Sequence, residues 1–150
     1  MPITFKHLLV PVDGSELAER AMQVGIDLAL QLGASITAFI AEPPAPPSGA
    51  GHGAMRYVRD MQEHEQATAG HAGDVLSGFR QRAEAAGVPF SGVYVQVEQI
   101  DAAIADTARQ QGCDMIVMVT HGRGPFSELL FGSRTKGVMA RSKVPLLVLH

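Results

Sequence analysis

The chain has 150 residues, 46% of them hydrophobic, and its 12 Lys and Arg against 15 Asp and Glu leave a formal net charge of −3. That length suits one domain, 1–150, able to bury roughly two thirds of the surface its unfolded chain would expose. Charges of both signs are scattered, with no basic stripe for nucleic acid. No apolar run approaches the ~20 residues of a membrane-spanning helix, and Met1-Pro2-Ile3-Thr4-Phe5-Lys6 lacks a signal-peptide pattern. A cytoplasmic protein with no nucleic-acid or membrane partner is expected. The one cysteine, Cys113, excludes an intrachain disulfide and reads as a quiet, half-buried thiol.

His7 to Val12 is a short apolar run ending at Asp13-Gly14-Ser15-Glu16, residues of turn and N-cap chemistry, so a strand hands over to a helix there. From Ser15 to Leu32 the stripe Ala18, Ala21, Met22, Gly25, Ala29 and Leu32 marks an amphipathic helix, and Gly33 supplies its stop. Ile36 to Ile40 makes the next strand, which completes a right-handed βαβ unit. Glu42 to Gly53 holds four prolines, three glycines and two alanines, the composition of a mobile loop. Thr68, Ala72, Val75, Leu76, Phe79 and Ala83 then set the inner face of a second helix ending at Gly87. Begun at Ala54 it would be ~50 Å long, so a break or an overhang near Gly70 or Gly73 is expected.

Val93 to Val97 is β-branched and makes a third strand, followed by a helix with Ile100, Ile104, Ala105 and Ala108 inward and Gly112 at its close. Met115 to Val119, five apolar residues between Asp114 and Thr120, fits a central parallel strand covered on both faces. Arg134 to Ser142 is a short helix and Val144 to Leu149 a last strand. About five strands alternating with about four helices give an open α/β sheet.

Ligands of such sheets sit beyond the carboxyl ends of the strands, where the winding reverses. Asp13 and Thr120-His121-Gly122 would both lie there. Gly132-Ser133, opening a helix, offers unpaired N–H groups and the positive end of the macrodipole to an anion. Arg123 and Arg134 carry forked donors for phosphate oxygens, although solvated surface arginines are the ordinary reading. Asp13 serves equally as a helix cap, with Glu16 completing a loose box. His121 has no carboxylate or serine partner at a catalytic spacing, and His52, His64 and His71 match neither a paired helix face nor a finger. No catalytic residue or metal site is therefore assigned. The dinucleotide, P-loop and hydrolase-elbow patterns are missing from the sequence.

Five pieces of sequence, Pro11-Val12-Asp13-Gly14-Ser15, Thr120-His121-Gly122-Arg123, the nine residues between Gly122 and Gly132, Gly132-Ser133, and Val144-Pro145-Leu146-Leu147-Val148, resemble the universal stress protein family. The likeness runs from about Phe5 to Leu149. It implies an open five-stranded parallel sheet of order 3-2-1-4-5 with helices on both faces, dimerising members, and a branch that binds ATP through Gly-x-x-Gly, nine residues, Gly-Ser/Thr. On that pattern Asp13 contacts the nucleoside, Val12 and Ala41 lie near the adenine, and Gly122, Gly132 and Ser133 keep the phosphate spacing. Pro11, Arg123 and Arg134 complete the set of candidate nucleotide-binding residues. One position departs from the pattern: Val119 stands where it asks for glycine, three places before Gly122, and a β-branched side chain there projects toward ribose or phosphate.

The expected function is a stress response through binding of ATP or another adenine nucleotide, with or without Mg, and signalling. A nucleotide-free dimeric interaction module, in which Val119 marks loss of the site, is the alternative, and a slow ATPase or phosphotransferase the other. The last strand would lie at the sheet edge with only Pro145 near its start and no charge before His150. Since family members commonly pair there, a twofold homodimer along Val144 to Leu149 is expected, with Leu147 or Leu149 in the contact.

Overall fold

The computed structural model describes residues 3–12, 17–44, 54–119 and 133–149, with backbone alone at 54–57, 68 and 133. Strands and helices alternate: β1 His7–Pro11, α1 Leu17–Leu32, β2 Ser35–Glu42, α2 Ala54–Ala85, β3 Phe90–Gln96, α3 Ile100–Gln110, β4 Met115–Val119, α4 Ser133–Arg141 and β5 Leu146–Leu149. The strands form one parallel sheet of order β3-β2-β1-β4-β5, as expected from the resemblance. The chain adds β2 and β3 on one side of β1, then β4 and β5 on the other, so the winding reverses at β1.

Successive residues of the central strands point to opposite faces, which explains why their sequences are apolar without alternation. Leu8, Val10, Ile36, Ala38, Ile40, Met115 and Val117 pack with α1 and α2. Leu9, Phe39, Ile116 and Met118 pack with Ile104 and Ala108 of α3 and Val138 of α4. The helix α1 comes close over β1 because Gly25 has no side chain; a Cβ there would stand 3.1 Å from Val10 Cγ2. Its buried stripe also includes Ile26, while Leu32 is only half-buried.

The glycines read as helix stops act through one device. Gly33, Gly87 and Gly112 have φ of +64°, +78° and +68°, the left-handed conformation that L side chains disfavour. The next residue in each case turns back and donates its N–H to the last turn: Ala34 to Ala29 at 2.9 Å, Val88 to Ala83 at 2.8 Å and Cys113 to Ala108 at 2.8 Å. All three donors are buried, so each stop also delivers the chain into the following strand.

Of the two outcomes expected for the second helix, the break does not occur. The helix α2 is continuous over 32 residues. A Cβ at Gly70 or Gly73 would meet nothing within 4 Å. On an open face a glycine keeps its place in the hydrogen-bond ladder and costs only about 1 kcal/mol. Leu76 lies against Gly92 of β3. At ~1.5 Å per helical and ~3.3 Å per strand residue, the N-terminal part of α2 therefore runs well past the carboxyl end of β3. From Val58 to His71 no described side chain is buried.

Three smaller differences have clear causes. The strand β3 begins at Phe90, ahead of Val93, because the ladder with β2 starts at Ile36 opposite Phe90. The strand β5 begins at Leu146, after the expected Val144: the Val144 N–H goes to Ser142 Oγ at 2.9 Å, and Pro145 has no N–H to give. In α3 Thr107 is buried while Ala105 is only half-buried. Most of the loop expected to be mobile, residues 45–53, lies outside the described residues.

Candidate functional site

The β1–β2 ladder ends at Pro11 opposite Phe39, and Val12 makes a last bond to Phe39 O at 2.8 Å. The β1–β4 register covers only Leu8–Met115 and Leu9–Ile116. Beyond those pairs the carboxyl ends of β1 and β4 part, and a cavity of about 280 Å³ opens between them. Its floor is Pro11 and Val12 of the β1 end, Phe39 and Ala41 of β2, and Met118 and Val119 of β4. Leu17, Ala18 and Ala21 of α1 form one wall. Ile100 and Ile104 of α3 with Arg134 and Thr135 of α4 form the other.

Almost all of that lining is apolar, a surface suited to a flat ring system. The helix α4 starts at Ser133, so its first turn, whose N–H groups have no acceptor within the helix, and the positive end of its dipole lie beside the cleft. Arg134 is exposed, whereas Thr135 is buried. Cleft and helix start together offer an apolar bed with an anion-accepting end.

Five of the candidate residues are thus brought together: Pro11, Val12, Ala41, Val119 and Arg134. Ser133 is placed as the first residue of α4, by its backbone. Asp13, Gly122, Arg123 and Gly132 lie outside the described residues. Val119 is half-buried, lines the cavity and packs against the core cluster shared with α1.

The lining also takes in Leu17, Ala18, Ala21, Phe39, Ile100, Ile104, Met118 and Thr135, none of them a candidate from the sequence. The signal for Phe39 and Met118 is position along the strand, since Phe39 lies two residues before Ala41 and Met118 one before Val119, each at the carboxyl end of its strand. Thr135 carries a weaker signal, a polar residue in the first turn of a helix beside the site.

A second polar group sits at the amino ends of the strands. His7 Nε2 and Thr37 Oγ1 are hydrogen-bonded at 2.6 Å, and the Asp114 carboxylate accepts the backbone N–H of Lys6 at 2.8 Å and of His7 at 3.0 Å. Cys113 also bonds Thr37. Burial pushes its thiol up to about 11; the Thr37 bond opposes this and the Asp114 charge adds to it. A neutral buried thiol is a poor nucleophile. Among the described residues no group of three or more His, Cys, Asp or Glu could hold a metal ion. No helix among them is long and apolar enough to cross a membrane.

The sheet order defines a doubly wound α/β protein with a cleft at its switch point, the place where sheets of this class take their ligands. The model of the universal stress protein family matches residues 4–150, and the chain belongs to that family. Universal stress protein MJ0531 of Methanocaldococcus jannaschii is 24% identical over 149 residues, 96% of this chain and 81% of that protein. Universal stress protein UspA from Lactobacillus plantarum shares the fold with a TM-score of 0.77 at 22% identity, covering 99% of this chain and 100% of that one. A universal stress protein solved in complex with cAMP has a TM-score of 0.68 at 21% identity, over 99% and 98% of the two chains.

Proposed function

We propose that this chain binds an adenine nucleotide, ATP or AMP, in the strand-end cleft and serves a cytoplasmic stress response by binding and signalling. The observation that carries the reading is the meeting, at the switch point, of an apolar cleft with the first turn of α4 and the Arg134 guanidinium. A purine fits the apolar bed, and phosphates fit the N–H groups and the cation. Gly122 and Gly132-Ser133 keep the spacing of the family's ATP pattern, and a similar fold holds cAMP. The sequence carries neither the P-loop nor the hydrolase-elbow pattern, which favours binding over hydrolysis or phosphate transfer. Calorimetric titration with ATP, with and without Mg, tests the reading, together with extraction of any nucleotide retained on purification.

Val119 supports a second reading. Its side chain lines the cavity where the family's pattern has glycine, which fits an interaction module that has lost the nucleotide. In both readings the active form is a homodimer joined along β5, an edge strand of the sheet.

A further inference from the structure

We propose that Asp101 of α3 is a positioning residue for the anion end of the cleft: its carboxylate holds α4 at Gly137 and Arg141, and so keeps Arg134 turned to the cavity. The proposal rests on the nucleotide reading above and concerns a residue that does not itself line the cavity.

Within α4, Thr135 and Val138 are the buried side chains of the described residues, a narrow hold for a helix of nine residues. Asp101, in the first turn of α3, adds a polar one. Its Oδ1 accepts the Ala102 N–H at 2.9 Å, which fixes the carboxylate, and its Oδ2 accepts from Arg141 at 3.1 Å. The same carboxylate occupies the place of the missing side chain at Gly137, where a Cβ would stand 2.7 Å from Asp101 Cγ. Arg134, Gly137 and Arg141 follow one another at helical i, i+3 and i+7 positions, so they share one face of α4. Two of the three rest on Asp101, and the first lines the cavity. The helix therefore cannot turn Arg134 away from the cleft without breaking the contacts of Gly137 and Arg141 with α3.

Charge and position act in opposite senses. As a charge on a helix that walls the cleft, Asp101 opposes phosphate, so its removal should tighten ATP. As a support, it places a guanidinium and the first-turn N–H groups of α4, which bind well only when their neighbours hold them within about 0.5 Å of the productive geometry. Position outweighs charge here. The carboxylate is partly exposed, is screened by solvent and is neutralised by Arg141 at 3.1 Å, whereas a displaced guanidinium loses its bonds outright.

The test is calorimetry of the full chain with ATP and with adenosine, for wild type, Asp101→Ser, Asp101→Asn, Arg134→Gln and the double variant of Asp101→Ser with Arg134→Gln, with thermal unfolding of each. Asp101→Ser keeps an acceptor for the Ala102 N–H, which favours folding, but withdraws the oxygen that reaches α4. It should weaken ATP about tenfold, the effect of one displaced charge-assisted bond, and leave adenosine within about threefold of wild type. Asp101→Asn, which keeps the shape at Gly137, should stay within about threefold for both ligands. Because Asp101 acts through Arg134, the double variant should lose no more than about threefold beyond Arg134→Gln alone. Unchanged ATP affinity in Asp101→Ser, whether or not its melting temperature falls, overturns the proposal and leaves Asp101 a role in stability only. So does tighter ATP, which would make the residue a charge and nothing more, an equal loss of both ligands, or independent losses in the double variant. Wild type that binds neither ligand overturns the nucleotide reading and this proposal with it, a result distinct from ATP binding that Asp101→Ser leaves unchanged.

Discussion

Gly137 on α4 lies directly against Asp101 on α3. A Cβ at Gly137 would stand 2.7 Å from Asp101 Cγ and 2.9 Å from its Cβ, and would overlap the Oδ2 atom. The carboxylate is held in place, with Oδ1 accepting the Ala102 N–H at 2.9 Å and Oδ2 accepting from Arg141 at 3.1 Å. This seam sets the distance between the two helices that wall one side of the cleft. Gly137→Ala should therefore destabilise the fold by about 1–3 kcal/mol through overpacking. Gly78→Ala on α2, where a Cβ meets nothing within 4 Å, should stabilise it by about 0.5–1 kcal/mol. Urea denaturation of the two variants should show opposite signs; a shared sign would mean that the seam is looser than its geometry.

The thiol of Cys113 gives a pH signature. Its pKa rises from 9.0 to about 11 on burial, so the folded state holds the proton more tightly than the unfolded chain. The stability contributed is complete below about pH 9 and is lost as the pH climbs through 11. Native protein at pH 8 should resist thiol reagents that label the unfolded chain, and Cys113→Ala should flatten the alkaline loss of stability. Rapid native labelling would contradict the burial.

Val119 couples affinity to stability. Val119→Gly should raise nucleotide affinity by restoring the family spacing and removing a side chain from the cavity. It should also lower stability by about 1–3 kcal/mol, because a half-buried valine leaves the core and a flexible residue enters a strand. Calorimetry and thermal unfolding of the same sample check both halves. Unchanged affinity would remove Val119 as an obstacle.

The dimer has its own test. All four residues of β5 are half-buried. Leu147 and Leu149 pack on the core cluster of α1 and α2, and Leu146 on that of α3 and α4. A lysine at Leu147 or Leu149 would thus disturb the fold as well as the edge, and Val148→Lys, at a residue of neither cluster, is the cleaner variant. Sedimentation should show wild type as a dimer at micromolar concentration and Val148→Lys as a folded monomer. A wild-type monomer at high concentration would exclude pairing along β5.

The strand order was legible in the sequence because the family's pieces lie at the ends of β1, β4 and β5. The helix stops were legible because Gly33, Gly87 and Gly112 each need a positive φ. The continuity of α2 was not, since Gly70 and Gly73 look the same in sequence whether they break a helix or ride on its open face. Half of the cleft was also hidden. Buried parallel strands are apolar on both faces, so nothing local distinguishes Phe39 and Met118, which reach the cavity, from Ala38 and Val117, which do not line it. Thr135 was hidden for a related reason: its burial depends on how α4 leans on α3, a tertiary fact set at Gly137 and Asp101.

The most direct measurement is a calorimetric titration of the purified, nucleotide-free chain with ATP, run beside Gly132→Val. The account predicts saturable binding of one ATP per chain that the variant abolishes, because Gly132 is the glycine of the family's phosphate pattern that directly precedes α4, where a branched side chain should hinder phosphate. No binding by wild type would contradict it and leave the chain as a nucleotide-free module of its family. Equal binding by wild type and variant would move the nucleotide away from α4.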